Sequence, residues 1–181
     1  VIDNGRDDLE MAVTTNASVP DKLWNNFVDK VSFISEYKKL KRFRIFVSVD
    51  GWGDQAEYMR HGLDFDRMWN NVHNYLSRVD EGLVTFIVTF NMLSLPSIKK
   101  LLEGILELQR IHNVTKSRRD KDGNIVVYGH HKVFLDTPML RYPEWQSLQL
   151  TPESHWHYAD EALEFMKANE DQHRKSRWVG F

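Results

Sequence analysis

The stretch FVSVDGWGDQAEYMRHG, residues 46–62, carries an apolar strand directly into a dense set of polar groups. Side chains alternate between the two faces of a strand, so Ser48 and Asp50 share one face while the neighbouring valines share the other. Gly51 and Gly53 follow at once, and glycine permits a tight turn in which the backbone approaches a ligand closely. The stretch therefore predicts a buried strand that presents polar side chains at its carboxyl end.

The same succession of strand and helix recurs along the chain. Apolar strands are predicted at residues 9–14, 43–50, 83–91 and 132–140, the first of them as a short buried strand. Amphipathic helices are predicted at residues 18–40, 63–77, 94–111 and 151–175, with N-caps at Ser18, Asp64, Ser94 and Thr151. The Asp-Gly-Asn sequence at residues 122–124 indicates a loop or a small hairpin before the last strand.

Apolar strands that alternate with amphipathic helices predict an α/β fold, with a parallel sheet and flanking helices. Two architectures fit this pattern: an open doubly wound sheet or part of a (β/α)8 barrel. The four predicted β/α units are half of the usual eight, and a full barrel needs about 250 residues.

Composition excludes several classes of protein. The chain has 181 residues, and its 24 Lys and Arg residues nearly balance 26 Asp and Glu residues, so net charge favours no nucleic acid partner. No run approaches the roughly 18 apolar residues of a membrane span. The absence of cysteine excludes disulfides and any thiolate-ligated metal held by this chain. The histidine pairs His130–His131 and His155–His157 do not have the spacing of a zinc site. No metal ligand is predicted, and because nothing indicates secretion we expect a cytoplasmic protein.

Polar side chains follow every predicted strand, at the end where α/β proteins bind ligands. In chain order these side chains are Thr14, Thr15 and Asn16, then Ser48 and Asp50, then Thr89 and Asn91, then Asp136 and Thr137. Any one of them can instead cap a helix or close a turn, but four polar strand ends together favour a ligand site. Arg60 adds a planar guanidinium group whose N–H donors suit a carboxylate. Trp145 and Trp156 are interpreted as packing residues rather than as a platform for stacked bases.

VSVDGWGDQAEYMRHGLDFDRMWNNV, residues 47–72, resembles the fourth-strand region of radical S-adenosylmethionine enzymes. The resemblance is greatest to the peptide-modifying type whose barrel is followed by a SPASM or twitch domain. In that type a strand ends in Ser-x-Asp-Gly, and an acidic residue, Tyr-x-Arg, a glycine and a helix with an asparagine follow. The matching residues here are Ser48, Asp50, Gly51, Glu57, Tyr58, Arg60, Gly62 and Asn71.

Three further segments are similar to the same family, so the resemblance covers roughly residues 1–165. AVTTNAS resembles a third strand that usually ends in Thr-Asn-Gly, with Ala17 in place of the glycine. TFIVTFNMLSLPSIKKLLE resembles the fifth strand and helix, and VFLDTPMLRYPEWQSLQLTP resembles the sixth.

The resemblance implies that residues 1–181 form one domain, a partial (β/α)6 barrel of about four β/α units within a longer chain. It implies S-adenosylmethionine as cofactor, together with a [4Fe-4S] cluster that generates a 5'-deoxyadenosyl radical to modify a peptide or small-molecule substrate. By motif position, Ser48 and Asp50 would lie by the ribose and Arg60 would pair with the methionine carboxylate. The residues that would line the same cavity are Thr15, Asn16, Thr89 and Asn91.

The chain departs from the family in two ways. It contains no cysteine for the Cys-x3-Cys-x2-Cys cluster loop, and no Gly-Gly-Glu turn for the methionine amine. We interpret the chain as a fragment of a radical S-adenosylmethionine enzyme that is inactive by itself. Two alternatives remain open: a cluster-free relative that binds a nucleoside or a protein partner, and an unrelated α/β enzyme that uses Asp50 or Glu57 as a general base.

Overall fold

Four parallel strands form the central sheet of the computed structural model, which describes residues 5–170 apart from the side chains of residues 114, 118, 128 and 130. In spatial order, the strands are β1 (Arg6–Thr15), β2 (Leu40–Ser48), β3 (Gly82–Ile87) and β6 (Val133–Asp136). β4 (Val114–Arg119) and β5 (Ile125–His130) form a separate two-stranded antiparallel sheet. The predicted α/β fold with a parallel sheet and flanking helices is confirmed, and residues 122–124 form the turn between β4 and β5.

Within residues 5–170, five helices accompany the strands: α1 (Asp21–Glu36), α2 (Asp54–Met59), α3 (Phe65–Arg78), α4 (Leu95–His112) and α5 (Trp156–Ala168). Three short 3-10 turns lie before α5, at Glu144–Gln146, Leu148–Leu150 and Glu153–His155. Helix α2 was not predicted, because its six residues are too few to show helical periodicity. The predicted helical residues 171–175 lie outside the described residues.

The predicted N-caps have different outcomes. Asp64 caps α3 as predicted, since its side chain accepts a hydrogen bond from the Arg67 amide. Ser94 holds the cap position of α4, but its hydroxyl bonds within the preceding loop and not to the helix. Ser18 and Thr151 were wrong, because α1 begins at Asp21 and α5 at Trp156.

One face of the sheet carries the core. On β2 the side chains at alternate positions from Phe43 to Val49 are buried, and they pack with buried side chains of α1, α3 and α4. The opposite face, which we call the open face, stays partly accessible to solvent. Strand pairing places on the open face Arg42, Arg44, Phe46, Ser48, Leu83, Thr85, Ile87, Phe134 and Asp136. Of these, Leu83 and Thr85 are buried. This division positions the candidate site, because the open face ends at the polar carboxyl edge of the strands.

Strand β1 differs from its prediction. Its position is confirmed, but its predicted burial was wrong, because nine of its ten residues are exposed. Leu9, Met11 and Val13 share the face that is buried elsewhere in the sheet, yet each is about 40% exposed. The reason is that β1 pairs with β2 only and forms an edge of the described sheet. Apolar alternation in a sequence predicts a strand, but it does not reveal whether a neighbour covers it.

Candidate functional site at the carboxyl edge of the sheet

Asp50 joins the carboxyl ends of two neighbouring strands. Its Oδ1 accepts a hydrogen bond from the Thr89 amide at 2.9 Å, and its Oδ2 accepts one from Arg60 Nε at 2.7 Å. Asp50 is only 9% exposed, while the Arg60 side chain is 31% exposed, so solvent screens this ion pair in part. Asp50 therefore connects three parts of the chain. It follows β2, and it binds the segment after β3 and Arg60, the residue that follows α2.

Arg60 presents part of its guanidinium outward from this pair. Its side chain is 31% exposed, and it uses Nε for Asp50. Its two Nη atoms make no hydrogen bond to any other residue in the described part of the chain. Because the guanidinium donates along fixed directions, the Asp50 contact leaves Arg60 with donors already oriented for an anion.

Ser48 lies next to this pair on the open face. It pairs with Ile87 of β3, which in turn pairs with Asp136 of β6, so these three residues form one row across the sheet. Val49 is buried on the opposite face, which is the alternation that the sequence predicts for Ser48 and Asp50. Within residues 5–170, no partner accepts from or donates to the Ser48 hydroxyl, so this polar group remains available to a ligand.

Thr15 and Asn16 form a tight turn at the end of β1. Thr15 Oγ1 accepts from the Ala17 amide at 2.9 Å, and Asn16 Oδ1 accepts from the Ser18 amide at 3.1 Å. Ala17 has φ of 53°, in the left-handed region that favours glycine. Both predicted site residues thus shape the backbone, and the backbone conformation at residue 17 is the one in which glycine is least strained.

Asn71 clamps this turn from α3. Its Nδ2 donates to the carbonyl oxygens of Ala17 at 2.8 Å and Val19 at 2.9 Å. The Asn71 carbonyl oxygen accepts from Trp24 Nε1 at 2.9 Å. The motif resemblance includes Asn71 but assigns it no role. The signal that could have shown its role is an asparagine on the apolar face of a helix, between Met68 and Tyr75.

Thr89 and Asn91 are held in a second turn, at the end of β3. Asn91 Nδ2 donates to the Thr89 carbonyl at 3.0 Å, and its Oδ1 accepts from the Leu93 amide at 2.9 Å. The Asn91 amide donates to Ser94 Oγ at 3.0 Å. Both ends of the Asn91 side chain are therefore engaged by its own loop, so this residue positions the Thr89 amide beside Asp50.

Glu57 and Gly51 support the segment between β2 and α3. Glu57 Oε1 accepts from the Phe65 amide at 2.7 Å, so this carboxylate stabilises the start of α3. A Cβ at Gly51 would lie 2.7 Å from Ser97 Oγ and 2.8 Å from Met59 Cε. Glycine at residue 51 therefore permits a close approach between the strand end and α4.

The loop that follows β6 adds exposed aromatic residues near the same edge. The Met92 amide donates to the Gln146 carbonyl at 2.9 Å, which ties this loop to the end of β3. Trp145 is 64% exposed and Trp156 is 60% exposed, so their interpretation as packing residues was wrong. Trp156 Nε1 instead donates to the Thr151 carbonyl at 3.1 Å, which leaves most of the ring accessible to solvent.

The described residues contain no group of three or more His, Cys, Asp or Glu side chains placed to hold a metal ion. None of the described helices is both long enough and apolar enough to cross a membrane. Comparisons with protein-family models, with curated proteins and with solved structures found no match to this chain.

Proposed function

We propose that this chain is the central part of a partial (β/α)6 barrel of the radical S-adenosylmethionine type, and that it binds S-adenosylmethionine at the carboxyl edge of its sheet. The observation that carries the proposal is the contact of Asp50 with Arg60 and the Thr89 amide, beside Ser48. The strand order β1-β2-β3-β6 supports the barrel, because it is sequential, whereas a doubly wound sheet reverses its strand order.

The donors and acceptors of the site match this ligand. The Ser48 hydroxyl can donate to and accept from a ribose hydroxyl. Each Asp50 oxygen accepts one hydrogen bond and retains a second lone pair, so the carboxylate can also accept from a ribose diol. The Nη atoms of Arg60 can donate to the methionine carboxylate while Nε stays bonded to Asp50. The partly buried Asp50–Arg60 pair then orients both ends of the ligand.

The [4Fe-4S] cluster that the resemblance implies does not fit the residues of this chain. Clusters of this kind are held by cysteine thiolates, and the chain has no cysteine. The proposal for residues 5–170 is therefore confined to binding, and we expect this chain alone not to cleave S-adenosylmethionine. Hydrogen abstraction from a peptide or small-molecule substrate remains an implication of the motifs.

A cluster-free relative that binds a nucleoside or a protein partner is the second candidate. The observation that favours it is the lack of cysteine, combined with the presence of Ser48 and Asp50 as hydrogen-bonding groups for a ribose. The two candidates differ at Arg60, because a nucleoside has no carboxylate for this side chain to bind. Affinity for adenosine and affinity for S-adenosylmethionine therefore separate them.

Isothermal titration of S-adenosylmethionine and of adenosine tests the proposal, with the Arg60→Ala variant and the unmodified protein. Loss of hydrogen bonds to a charged group costs about 1.5–3 kcal/mol, so Kd for S-adenosylmethionine should rise by roughly 10- to 100-fold. Kd for adenosine should change little. Arg67→Ala is the matched control, because Arg67 also pairs with an aspartate but lies on α3.

Three results would contradict the proposal. The first is no binding of S-adenosylmethionine by the unmodified protein, and the second is an unchanged Kd in Arg60→Ala. The third is an equal loss of affinity for both ligands in Arg60→Ala, which would mean that Arg60 acts only by holding Asp50. If the protein binds adenosine and does not bind S-adenosylmethionine more tightly, the cluster-free candidate is supported.

A further inference from the structure

Strand β1 presents an unprotected edge. In the described part of the chain it pairs with β2 alone, so the amide and carbonyl groups along its outer side have no strand partner. Natural proteins usually protect such an edge with proline, lysine, a bulge or a very short strand. β1 is ten residues long and contains neither proline nor lysine, and its register with β2 is irregular only between Arg6 and Glu10. Its second half, from Glu10 to Thr15, is therefore a regular strand that can accept another.

Apolar side chains accompany this edge. Leu9, Met11 and Val13 lie on the face that packs against helices elsewhere in the sheet, yet each stays about 40% exposed. On β2, the residues that pair with Met11 and Val13 are Phe43 and Ile45, and both are buried. A strand added beside β1 would extend this apolar face and would also pair the backbone of β1. The edge thus offers both contributions that stabilise a strand pair.

We propose that the outer edge of β1 pairs with the β1 strand of a second copy of this chain, antiparallel and about a twofold axis at Ala12. The two four-stranded sheets then form one continuous eight-stranded sheet. This inference goes beyond the proposed function and does not rest on it, because the contact uses the outer edge of β1 rather than Ser48, Asp50 and Arg60. It concerns residues 1–181 by themselves, since a preceding strand of a longer chain would compete for the same edge.

Symmetry and charge select this arrangement. A twofold axis perpendicular to the sheet makes the two strands antiparallel and keeps the apolar faces of both copies on one side. Residues directly opposite each other then share a face, so the axis passes through a residue. Centring the pair on Glu10 would place two carboxylates against each other. Centring it on Ala12 instead places Glu10 against Thr14. It also places Met11 against Val13 on both sides of the axis, which is the largest apolar contact that the regular half of β1 allows.

Disulfide cross-linking tests the position of the axis, because the chain has no cysteine of its own. In the proposed dimer the two Ala12 positions are directly opposite, with Cα atoms about 4.5–5.5 Å apart, and a disulfide spans this distance. Ala12→Cys should therefore form a covalent dimer under mild oxidation, which a non-reducing gel detects. Thr14→Cys is the matched control, because its two copies lie about 14 Å apart along the paired strands, and it should not cross-link.

A change of charge at Thr14 tests the same pairing without a covalent bond. Thr14 lies opposite the partner's Glu10, and the dimer contains two such pairs. Glu10 contacts Lys41 of its own chain at 3.2 Å, but its side chain is 48% exposed and remains accessible to a second charge. Thr14→Glu should therefore weaken the dimer and Thr14→Lys should strengthen it, so that their dissociation constants differ by at least about fivefold. Sedimentation equilibrium measures both at protein concentrations up to about 1 mM, since so small a contact is weak.

The proposal is overturned if the unmodified protein is a monomer at every concentration, which would leave this edge to another strand or partner. It is also overturned if Thr14→Cys cross-links as readily as Ala12→Cys, or if Thr14→Glu and Thr14→Lys dimerise equally. Should Thr14→Glu fail to fold, the comparison of Thr14→Lys with the unmodified protein decides. Tighter dimerisation of Thr14→Lys supports the pairing, and unchanged or weaker dimerisation refutes it.

Discussion

Replacing Asn71 by Asp tests the clamp that holds the first turn of the candidate site. Asn71 is 6% exposed, and its Nδ2 donates to two carbonyl oxygens, those of Ala17 and Val19. A carboxylate has nearly the same shape but no hydrogen to donate. It would bring negative charge against two carbonyl oxygens and leave both without their partner.

The magnitude follows from the two lost hydrogen bonds. Leaving a buried acceptor unsatisfied costs about 1–3 kcal/mol, so the free energy of unfolding should fall by about 3 kcal/mol in Asn71→Asp at pH 8. For a domain of this size each kcal/mol lowers Tm by about 2–4 °C, so Tm should fall by about 6–12 °C. Burial raises the pKa of the new carboxyl group, and its protonated form can donate one of the two bonds. The folded state then binds the extra proton, so part of the lost stability should return as the pH falls from 8 to 5.

Urea denaturation followed by tryptophan fluorescence is the assay, and one of the six tryptophans, Trp24, donates its Nε1–H to the Asn71 backbone carbonyl. Asn70→Asp is the matched control, since it makes the same chemical change one residue away at an exposed position. The reasoning would be refuted if the two variants unfolded within about 0.5 kcal/mol of each other, the usual range of surface substitutions.

Two further stability predictions follow from the structure. Lys38 lies just after α1 with φ of 49°, so Lys38→Gly should raise the free energy of unfolding by about 0.5–1 kcal/mol, whereas Lys30→Gly inside α1 should lower it by about 1 kcal/mol. Urea denaturation measures both changes, and a loss of stability in Lys38→Gly would contradict the argument. His112 Nε2 and His73 Nδ1 lie 3.1 Å apart, and burial first, then His73 and Lys132, lower the pKa of His112 to about 4. Burial also lowers the pKa of His73, so the unfolded chain binds more protons than the folded one between the ordinary value of 6.5 and about 4. The contribution of this histidine pair to the free energy of unfolding should therefore be constant above about pH 7 and fall by about 1–2 kcal/mol toward pH 4, after allowance for solvent screening. Denaturation at several pH values should show this slope in the unmodified protein and a smaller one in His112→Gln, and equal slopes would refute it.

The sheet and its helices could be predicted because their signals are local. The buried stripe of α3, which includes Met68, Val72 and Tyr75, is the one that its 3.6-residue periodicity predicts. Asp64 was predicted correctly as a cap because its role depends on the amide of Arg67, only three residues away. Errors came where a distant residue competes: Ser18 accepts from the Asp64 amide, 46 residues along the chain, and therefore caps no helix of its own.

In the candidate site, too, local features could be predicted and distant partners could not. Its polar strand ends could be named from the sequence, but the partner of each side chain could not. Asn16 and Asn91 have the same side chain at equivalent strand ends, and both bond the amide two residues ahead. Asp50, at a third strand end, instead reaches Thr89 and Arg60. Which of these outcomes applies depends on the distance to the neighbouring strand end, and a single strand carries no information about that distance.

By itself, therefore, the sequence determined the parallel α/β sheet, the helix stripes and the face that Ser48 and Asp50 share, because periods of two and of 3.6 residues are properties of one segment. Only the tertiary structure decided that β1 is an exposed edge, that Asp50 binds Arg60 and that Arg44 lies between Phe46 and Phe134. Each of these depends on which strand pairs with which and in what register. Register is set by packing over the whole sheet, and a shift of one residue would turn every one of these side chains to the other face.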